Sequence, residues 1–380
     1  MPVQHLAPPV WVNAPQLLKQ MTADLSLQKQ VAVDTESNSL HAYREQVCLV
    51  QFSTPKTDYL VDPLELNDLS LLAPMFASPK IEKIFHAAEY DLICLRRDFA
   101  FEFSYLFDTM QAARILGYSA VGLDKLLGDK FGVEVDKRHQ KADWASRPLT
   151  EEQIHYARLD THYLIGLRDV LEKELREKNR WQLAYEDFRR ACETDTSNNL
   201  KTTNDAFGRF NGRKDVTLRE LTILSELCAW REAIAEKMDR PPFKVLMDDV
   251  LIELARSVPG HLEDLAGIGL SQKQIKLWGG EILKAVQRGT EAPLVKRKQV
   301  ERQEDAVLRR LDKLKTWRKK VAAQMGVESD IVLPKAYLSV LAENPPKNGR
   351  ELEVAMRDLP WRVEQFGGQI LKLLGGKDAN

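Results

Sequence analysis

Asp34-Thr35-Glu36 closes the apolar run Val31-Ala32-Val33. Residues two apart on a strand point to one face, so both carboxylates project together from a segment that otherwise favours burial. Crowded carboxylates are costly unless a cation neutralises them, which makes the pair a candidate metal ligand set. Taken alone it reads equally as two solvated acids at a strand end. Asp91 stands where the run ending Phe85-His86 passes into a helix start, a place the helix macrodipole also favours for an acid. A third set, His155-Tyr156-Ala157-Arg158-Leu159-Asp160, lies inside a helix that the capping box Thr150-Glu151-Glu152-Gln153 opens and that is predicted to run to about Lys178. Tyr156 and Asp160 are four apart and share a helical face, whereas His155 stands about 140° from Asp160 and faces elsewhere.

The surrounding elements must bring these residues together. Between 30 and 62, QVAVDTES, VCLVQFST and TDYLVD are β-rich runs separated by turn-prone residues, as in a meander. A helical stretch near 67–76, the run IEKIF and a helix from about Ala88 predict strands joined through helices, hence a mixed α/β domain over 1–195. A linker is expected over 196–212, within and beyond the polar stretch ETDTSNNLKTTNDA. The remainder is helical and repeats itself. Trp230-Arg231, Ala235, Met238, Val245-Leu246, Leu251, Leu254-Ala255 and Pro259 recur as Trp317-Arg318, Ala322, Met325, Val332-Leu333, Leu338, Leu341-Ala342 and Pro346, and GGEILK is answered by GGQILK. Two copies of one helical module are therefore expected, over 213–293 and 300–378, with the repeated apolar positions as core.

Composition sets the limits. The chain of 380 residues is 44% hydrophobic and 29% charged, long enough for two or three cores. No run approaches the uncharged apolar length of a membrane span, and the N-terminus lacks a basic start followed by an apolar core, so a cytoplasmic location is expected. Cys48, Cys94, Cys192 and Cys228 are scattered, without the close pairs that hold zinc, and read as reduced structural thiols. A net charge of -1 excludes a wholly basic coat. Charge is nonetheless segregated over 296–320, where Lys296, Arg297, Lys298, Arg302, Arg309, Arg310, Lys313, Lys315, Arg318, Lys319 and Lys320 outnumber the acids. That stretch reads either as a solvated helix face or as a local basic patch.

In this order the three motifs resemble the DEDD 3′→5′ exonuclease superfamily, in its tyrosine-bearing branch and closest to the ribonuclease D family. Leu49-Val50-Gln51-Phe52, Gly122-Leu123-Asp124-Lys125-Leu126-Leu127 and Asp143-Trp144 with Arg147-Pro148-Leu149-Thr150 are similar to the same family. The two helical modules resemble HRDC domains; the first, with Trp230-Arg231-Glu232 and Asp239-Arg240-Pro241-Pro242-Phe243, fits that pattern better than the second, which lacks the proline turn. The resemblance implies a ribonuclease H-like α/β exonuclease domain followed by two all-α HRDC domains. It implies hydrolysis of RNA from the 3′ end with two divalent cations, Mg²⁺ or Mn²⁺, since hard cations prefer oxygen ligands and a pair about 4 Å apart can hold both the attacking and leaving oxygens.

By the same resemblance Asp34 bridges both cations, Glu36 and Asp160 hold the one that activates water, and Asp91 supports the other. Tyr156 would aim the attacking water, because a phenol with a pKa of about 10 is a poor base at neutral pH. RNA contacts are expected from Leu40, Gln51 and His86 and from the loop carrying Lys137 and Lys141, each of which also has a plain loop or packing reading. The implied substrate is RNA with a single-stranded 3′ end, typically a transfer-RNA precursor, and no protein partner or membrane is called for. A DNA exonuclease would use the same acids, and a scaffold with a decayed site would keep the helical modules. All five motif positions are intact, and no polymerase or helicase segment accompanies them, which favours the RNA enzyme.

Overall fold

The computed structural model describes residues 7–66, 68–193, 207–297 and 304–376. Most of the expected linker, together with Lys298, Arg302 and the first six residues, lies outside the described residues. Six strands form one sheet in the order β1-β4-β3-β2-β5-β6. They are β1 Val10–Val12, β2 Gln30–Ser37, β3 Val47–Ser53, β4 Asp58–Val61, β5 Glu82–Phe85 and β6 Leu106–Asp108. β2, β3 and β4 make the expected antiparallel meander, while β1 joins β4, β5 joins β2 and β6 joins β5 in parallel. β3 and β4 are buried along their whole lengths, which is why they read as nearly continuous apolar runs. β1 and β6, of three residues each, are too short to show an alternation.

Helices α1 Pro15–Ser26, α2 Glu89–Phe99, α3 Thr109–Leu116, α4 Leu123–Phe131, α5 Glu151–His162, α6 Leu164–Glu177 and α7 Trp181–Glu193 pack around this sheet. The capping box at Thr150 is present, with Gln153 N donating to Thr150 Oγ1 at 3.2 Å and Thr150 N to Gln153 Oε1 at 2.9 Å. The helix it opens does not run unbroken to Lys178: it is interrupted at Tyr163. The break follows from two different supports. α5 is bonded to Ser53 and Asp58 where β3 passes into β4, whereas α6 packs on β2, β5 and α3.

The chain gathers into two compact units. One comprises Met1–Ser37, Val47–Thr196 and Arg302–Asn380; the other comprises Asn38–Gln46 and Ser197–Glu301. In the second unit α8 Leu218–Lys237, short helix Pro242–Val245, helix Asp248–Ser257 and α9 Gln272–Glu291 form the first helical module. The second copy, in the first unit, repeats them as α10 Asp305–Met325, Ser329–Val332, Lys335–Glu343 and α11 Pro360–Leu374. The missing proline turn thus does not remove the short second helix. Corresponding tryptophans make the same bond, Trp230 Nε1 to Glu281 and Trp317 Nε1 to Gln369, each at 2.9 Å. The repeated Ala, Val and Leu positions are buried in both copies, except Leu283, which is half-buried.

The second module is fastened to the sheet-bearing part of its unit. Arg362 of α11 is fully buried and donates to Glu186 and, at 2.9 and 3.0 Å, to Asp187 on α7. Arg114 of α3 donates to Asp330 at 2.6 Å. At Gly117, just past α3, a side chain has no room, because a Cβ there would collide with the carbonyl oxygen of Gly326.

Candidate active site

β2 runs out of the buried core with Val31, Ala32 and Val33 inaccessible and Asp34 to Ser37 half-buried. Its register sets Asp34 opposite Gln51 and Glu36 opposite Leu49, so both carboxylates rise on the face that α5 covers. α5 adds Asp160: one carboxylate oxygen from each of Asp34, Glu36 and Asp160 can be chosen so that all lie within 4.8 Å of one another. Together with Tyr156, Thr35, His86, Asp124, Lys137 and Gln140 they line a cavity of about 300 Å³.

Asp91 enters from α2. It sits in the first turn of that helix and accepts a hydrogen bond from Thr35 Oγ1, the residue between the two strand carboxylates. The approach to α2 is fixed by Asp108 at the end of β6, whose carboxylate accepts from Ala87 N at 3.1 Å and Ala88 N at 2.9 Å while also capping α3 through Gln111 N at 3.0 Å. Ala87 has φ 64°, a left-handed conformation that this clamp stabilises.

The electrostatics are those of a crowded acidic cluster. Burial, and then the charges of Asp91, Asp160 and Glu36, push Asp34 well above the ordinary carboxylate range. Burial and the charges of Asp160 and Asp91 do the same to Glu36. Burial raises Asp91 and Asp160 each to about 7, the hydrogen bonds from Thr35 and Tyr156 opposing it. Tyr156 is held protonated far above the usual phenol range by burial and by the charges of Asp160, Glu36 and Asp34. A set of hard oxygen donors whose charged forms repel one another fits divalent cations and little else.

The expected RNA contacts divide. His86 and Lys137 line the cavity; His86 is held neutral chiefly by burial, with Nδ1 2.9 Å from Thr109 Oγ1, and Lys137 pairs with Asp124 at 2.8 Å. Lys141 ends the same short helical turn, Lys137–Lys141, without lining the cavity. Leu40 is exposed in the segment Asn38–Gln46 of the other unit. Gln51 has no accessible surface, and neither atom of its amide has a partner among the described residues. His155 is exposed and does not line this acidic cavity; it borders a second cavity, of about 370 Å³, that Tyr156 also lines.

Residues 9–176 match the 3′-5′ exonuclease family, and residues 220–286 and 307–374 each match the HRDC domain. The chain carries a 3′-5′ exonuclease domain followed by two HRDC domains. Among curated relatives, the exosome complex exonuclease RRP6 of Saccharomyces cerevisiae is 32% identical over 265 residues, covering 66% of this chain and 36% of its own. Protein RRP6-like 3 of Arabidopsis thaliana is 34% identical over 279 residues, covering 67% and 31%. The chain therefore spans about a third of the length of these relatives. Escherichia coli RNase D shares the fold at a TM-score of 0.69 and 24% identity, covering 97% of this chain and 99% of its own. The catalytic core of RRP6 from Trypanosoma brucei aligns at a TM-score of 0.64 and 26% identity, covering 77% and 82%.

Two groups that position the acids escaped the reading of the sequence. Asp108 announces itself only as a helix cap before Thr109, with nothing to show that it also clamps the turn into α2. The second is a buried seam beneath α5. Asp58 accepts from Arg158 Nε at 2.5 Å and Ser53 Oγ at 2.7 Å and lies 2.9 Å from His162 Nδ1, while Ser53 meets Thr161 at 2.7 Å. Three residues of the helix that carries Tyr156 and Asp160 are thereby fastened to the sheet.

Proposed function

We propose that this chain is a metal-dependent 3′→5′ exoribonuclease that removes nucleoside monophosphates one at a time, acting on transfer-RNA precursors with single-stranded 3′ ends. The observation that carries the reading is the single cavity in which Asp34, Glu36 and Asp160 meet Tyr156 and Lys137. Asp34, Glu36, Asp91 and Asp160 would hold two divalent cations, Mg²⁺ or Mn²⁺. Bound there, the cations would lower the pKa of a coordinated water and neutralise charge developing on the phosphate.

The chain's own groups do the rest. Tyr156, kept as a neutral phenol, orients the attacking water by hydrogen bonding. The water oxygen bonds to phosphorus, the P–O3′ bond breaks, and the terminal nucleotide leaves as its 5′-monophosphate while the shortened RNA keeps a 3′ hydroxyl. Lys137 can exchange Asp124 for a phosphate, and His86 offers a neutral ring to the sugar or base. Lys141 and Leu40 are further RNA contacts in this reading, whereas Gln51, without accessible surface, supports the strand of Asp34. Catalysis is assigned to residues 1–195, followed by a linker over 196–212 and HRDC domains over 213–293 and 300–378. A cytoplasmic location suits this reading, and no helix among the described residues is long and apolar enough to cross a membrane.

Ribonucleases among the similar proteins support RNA over DNA, and matched strands test it. Purified protein is incubated with 5′-labelled single-stranded RNA or DNA, with metal or chelator. A descending ladder from RNA that needs the metal is expected; a ladder from DNA alone would reverse the assignment.

A further inference from the structure

We infer that the buried amide of Gln51 is the hydrogen-bond donor that orients the carboxylate of Asp34 toward the cations, and that the indole of Trp144 in turn orients Gln51. This rests on the cation-site reading given above. Asp34 on β2, Gln51 on β3 and Leu60 on β4 stand side by side in one row across the sheet. Side chains opposite one another on paired strands rise on the same face. The Gln51 amide therefore leaves the sheet beside the Asp34 carboxylate, under α5. Cβ atoms so paired are about 5 Å apart, well within the reach of a glutamine side chain.

The remaining surroundings of the amide are apolar. Leu49, two residues back on the same face, and Leu60, directly opposite, are buried in one cluster with Trp144 and with Ala157 of α5. Gln51 has no accessible surface, and neither Nε2 nor Oε1 has a hydrogen-bond partner among the described residues. The neighbouring row shows the contrast. There Ser53 and Asp58, also under α5, are bonded to Thr161 and Arg158. A buried amide without a partner gives up its hydration and gains nothing, so an apolar side chain would serve this position better if packing were its only task. The acceptor beside it is the carboxylate of Asp34.

Trp144 completes the set. Its Nε1 is likewise buried and without a partner. An indole N–H only donates, whereas a glutamine that donates through Nε2 keeps Oε1 as an acceptor. The sequence Trp144 Nε1 to Gln51 Oε1, then Gln51 Nε2 to Asp34, uses all three atoms. It also fixes which way round the amide lies. Outer partners of this kind hold a metal-ligating carboxylate in one orientation and leave its other lone pairs to the cation. The ring of Trp144 lies against Tyr156, with centroids 6.0 Å apart, so the same indole packs on the phenol and anchors the amide next to Asp34. Gln51 and Trp144 are positioning residues, since neither lines the acidic cavity.

The test measures Mn²⁺ binding to the full chain by titration calorimetry, without RNA, beside the metal-free melting temperature. Gln51→Met keeps the length of the side chain and removes both polar atoms. It should melt at or above the wild-type temperature without metal, yet bind Mn²⁺ on the order of 10- to 100-fold more weakly. Cleavage of a 5′-labelled RNA should then need correspondingly more Mn²⁺ and regain most of the wild-type kcat when Mn²⁺ saturates. Trp144→Phe keeps an aromatic ring and deletes the donor, and should weaken Mn²⁺ binding in the same direction, by less. Wild-type Mn²⁺ affinity in a folded Gln51→Met protein would overturn the inference, and a lowered metal-free melting temperature beside it would make Gln51 a packing residue. If Gln51→Met does not fold, wild-type affinity in Trp144→Phe would overturn it instead. If the wild-type protein itself binds no Mn²⁺, or Asp34→Asn binds it equally well, the cation-site reading fails first and takes this inference with it.

Discussion

Tyr156 and Asp160 stand one turn apart on α5, and both line the cavity that Asp34 and Glu36 line. His155, one residue earlier, is exposed and does not line that cavity. Replacing Tyr156 by Phe should lower kcat on the order of 10²-fold, a general acid–base-sized loss, while His155→Ala should change it little. A pH–rate profile separates the roles, since a histidine base would imprint a titration near pH 6.5 and a water-orienting phenol would not. A histidine-like limb removed by His155→Ala would assign the chemistry to the wrong neighbour.

Crowding at the acidic site makes stability depend on pH when metal is absent. Asp91 and Asp160 sit at about 7 in the folded protein, against about 3.9 in the unfolded chain. The raised value means that their contribution is fully present below about pH 4 and is lost as pH rises through about 7. In chelator, the melting temperature should therefore fall between pH 5.5 and 8, and Mg²⁺ or Mn²⁺ should abolish most of the fall. A melting temperature equally flat with and without chelator would contradict the cation-binding role.

Asp58 is expected to matter through α5 rather than through contact with RNA. Burial pushes its carboxyl up, but hydrogen bonds from His162, Ser53 and Arg158 outweigh this and hold it below its ordinary value. That stabilisation is present above about pH 4 and is lost as pH falls through the lowered pKa. Asp58→Ala leaves Arg158 buried without its partner, which should cost about 3 kcal/mol, measured by urea titration, and lower kcat more than it raises KM. Unchanged kcat in a folded Asp58→Ala protein would detach the seam from catalysis.

The second module is expected to be part of the nuclease's stability. Arg362→Met strands Glu186 and Asp187 in a buried setting and should destabilise the protein by about 3 kcal/mol. Adding Glu186→Gln and Asp187→Asn to that variant should recover part of the loss, because the stranded charges are then gone. Thermal denaturation of the three proteins decides it, and no recovery would mean that packing, rather than charge, holds the joint.

Much of this was legible in the sequence because it is local or periodic. The apolar run ending at Asp34, the four-residue spacing of Tyr156 and Asp160 and the repeat carrying Trp230 and Trp317 each follow from strand or helix geometry over a few residues. What stayed hidden are pairings across long separations: Asp58 with Arg158, Arg362 with Asp187 and Asp108 with Ala88. No period links such residues, so each looks like an ordinary surface charge until the fold closes. Gln51 shows the converse, since a polar residue in an apolar strand looks available to a ligand although β2, β4 and α5 leave it no accessible surface. The break at Tyr163 was hidden for a related reason: no Pro or Gly marks it, and its cause is the different footing of α5 and α6.

The most direct test of the central claim is single-turnover cleavage of a 5′-labelled RNA by folded wild-type and Asp34→Asn proteins in saturating Mg²⁺ or Mn²⁺. Asp34 interacts electrostatically with the other carboxylates of the cluster and shares the 4.8 Å set with Glu36 and Asp160, so its loss is expected to remove the proposed cation site. The account expects a stepwise ladder from the wild type and none from Asp34→Asn, with the variant's metal-free melting temperature equal to or above that of the wild type. Near-wild-type turnover by a folded Asp34→Asn protein would contradict it.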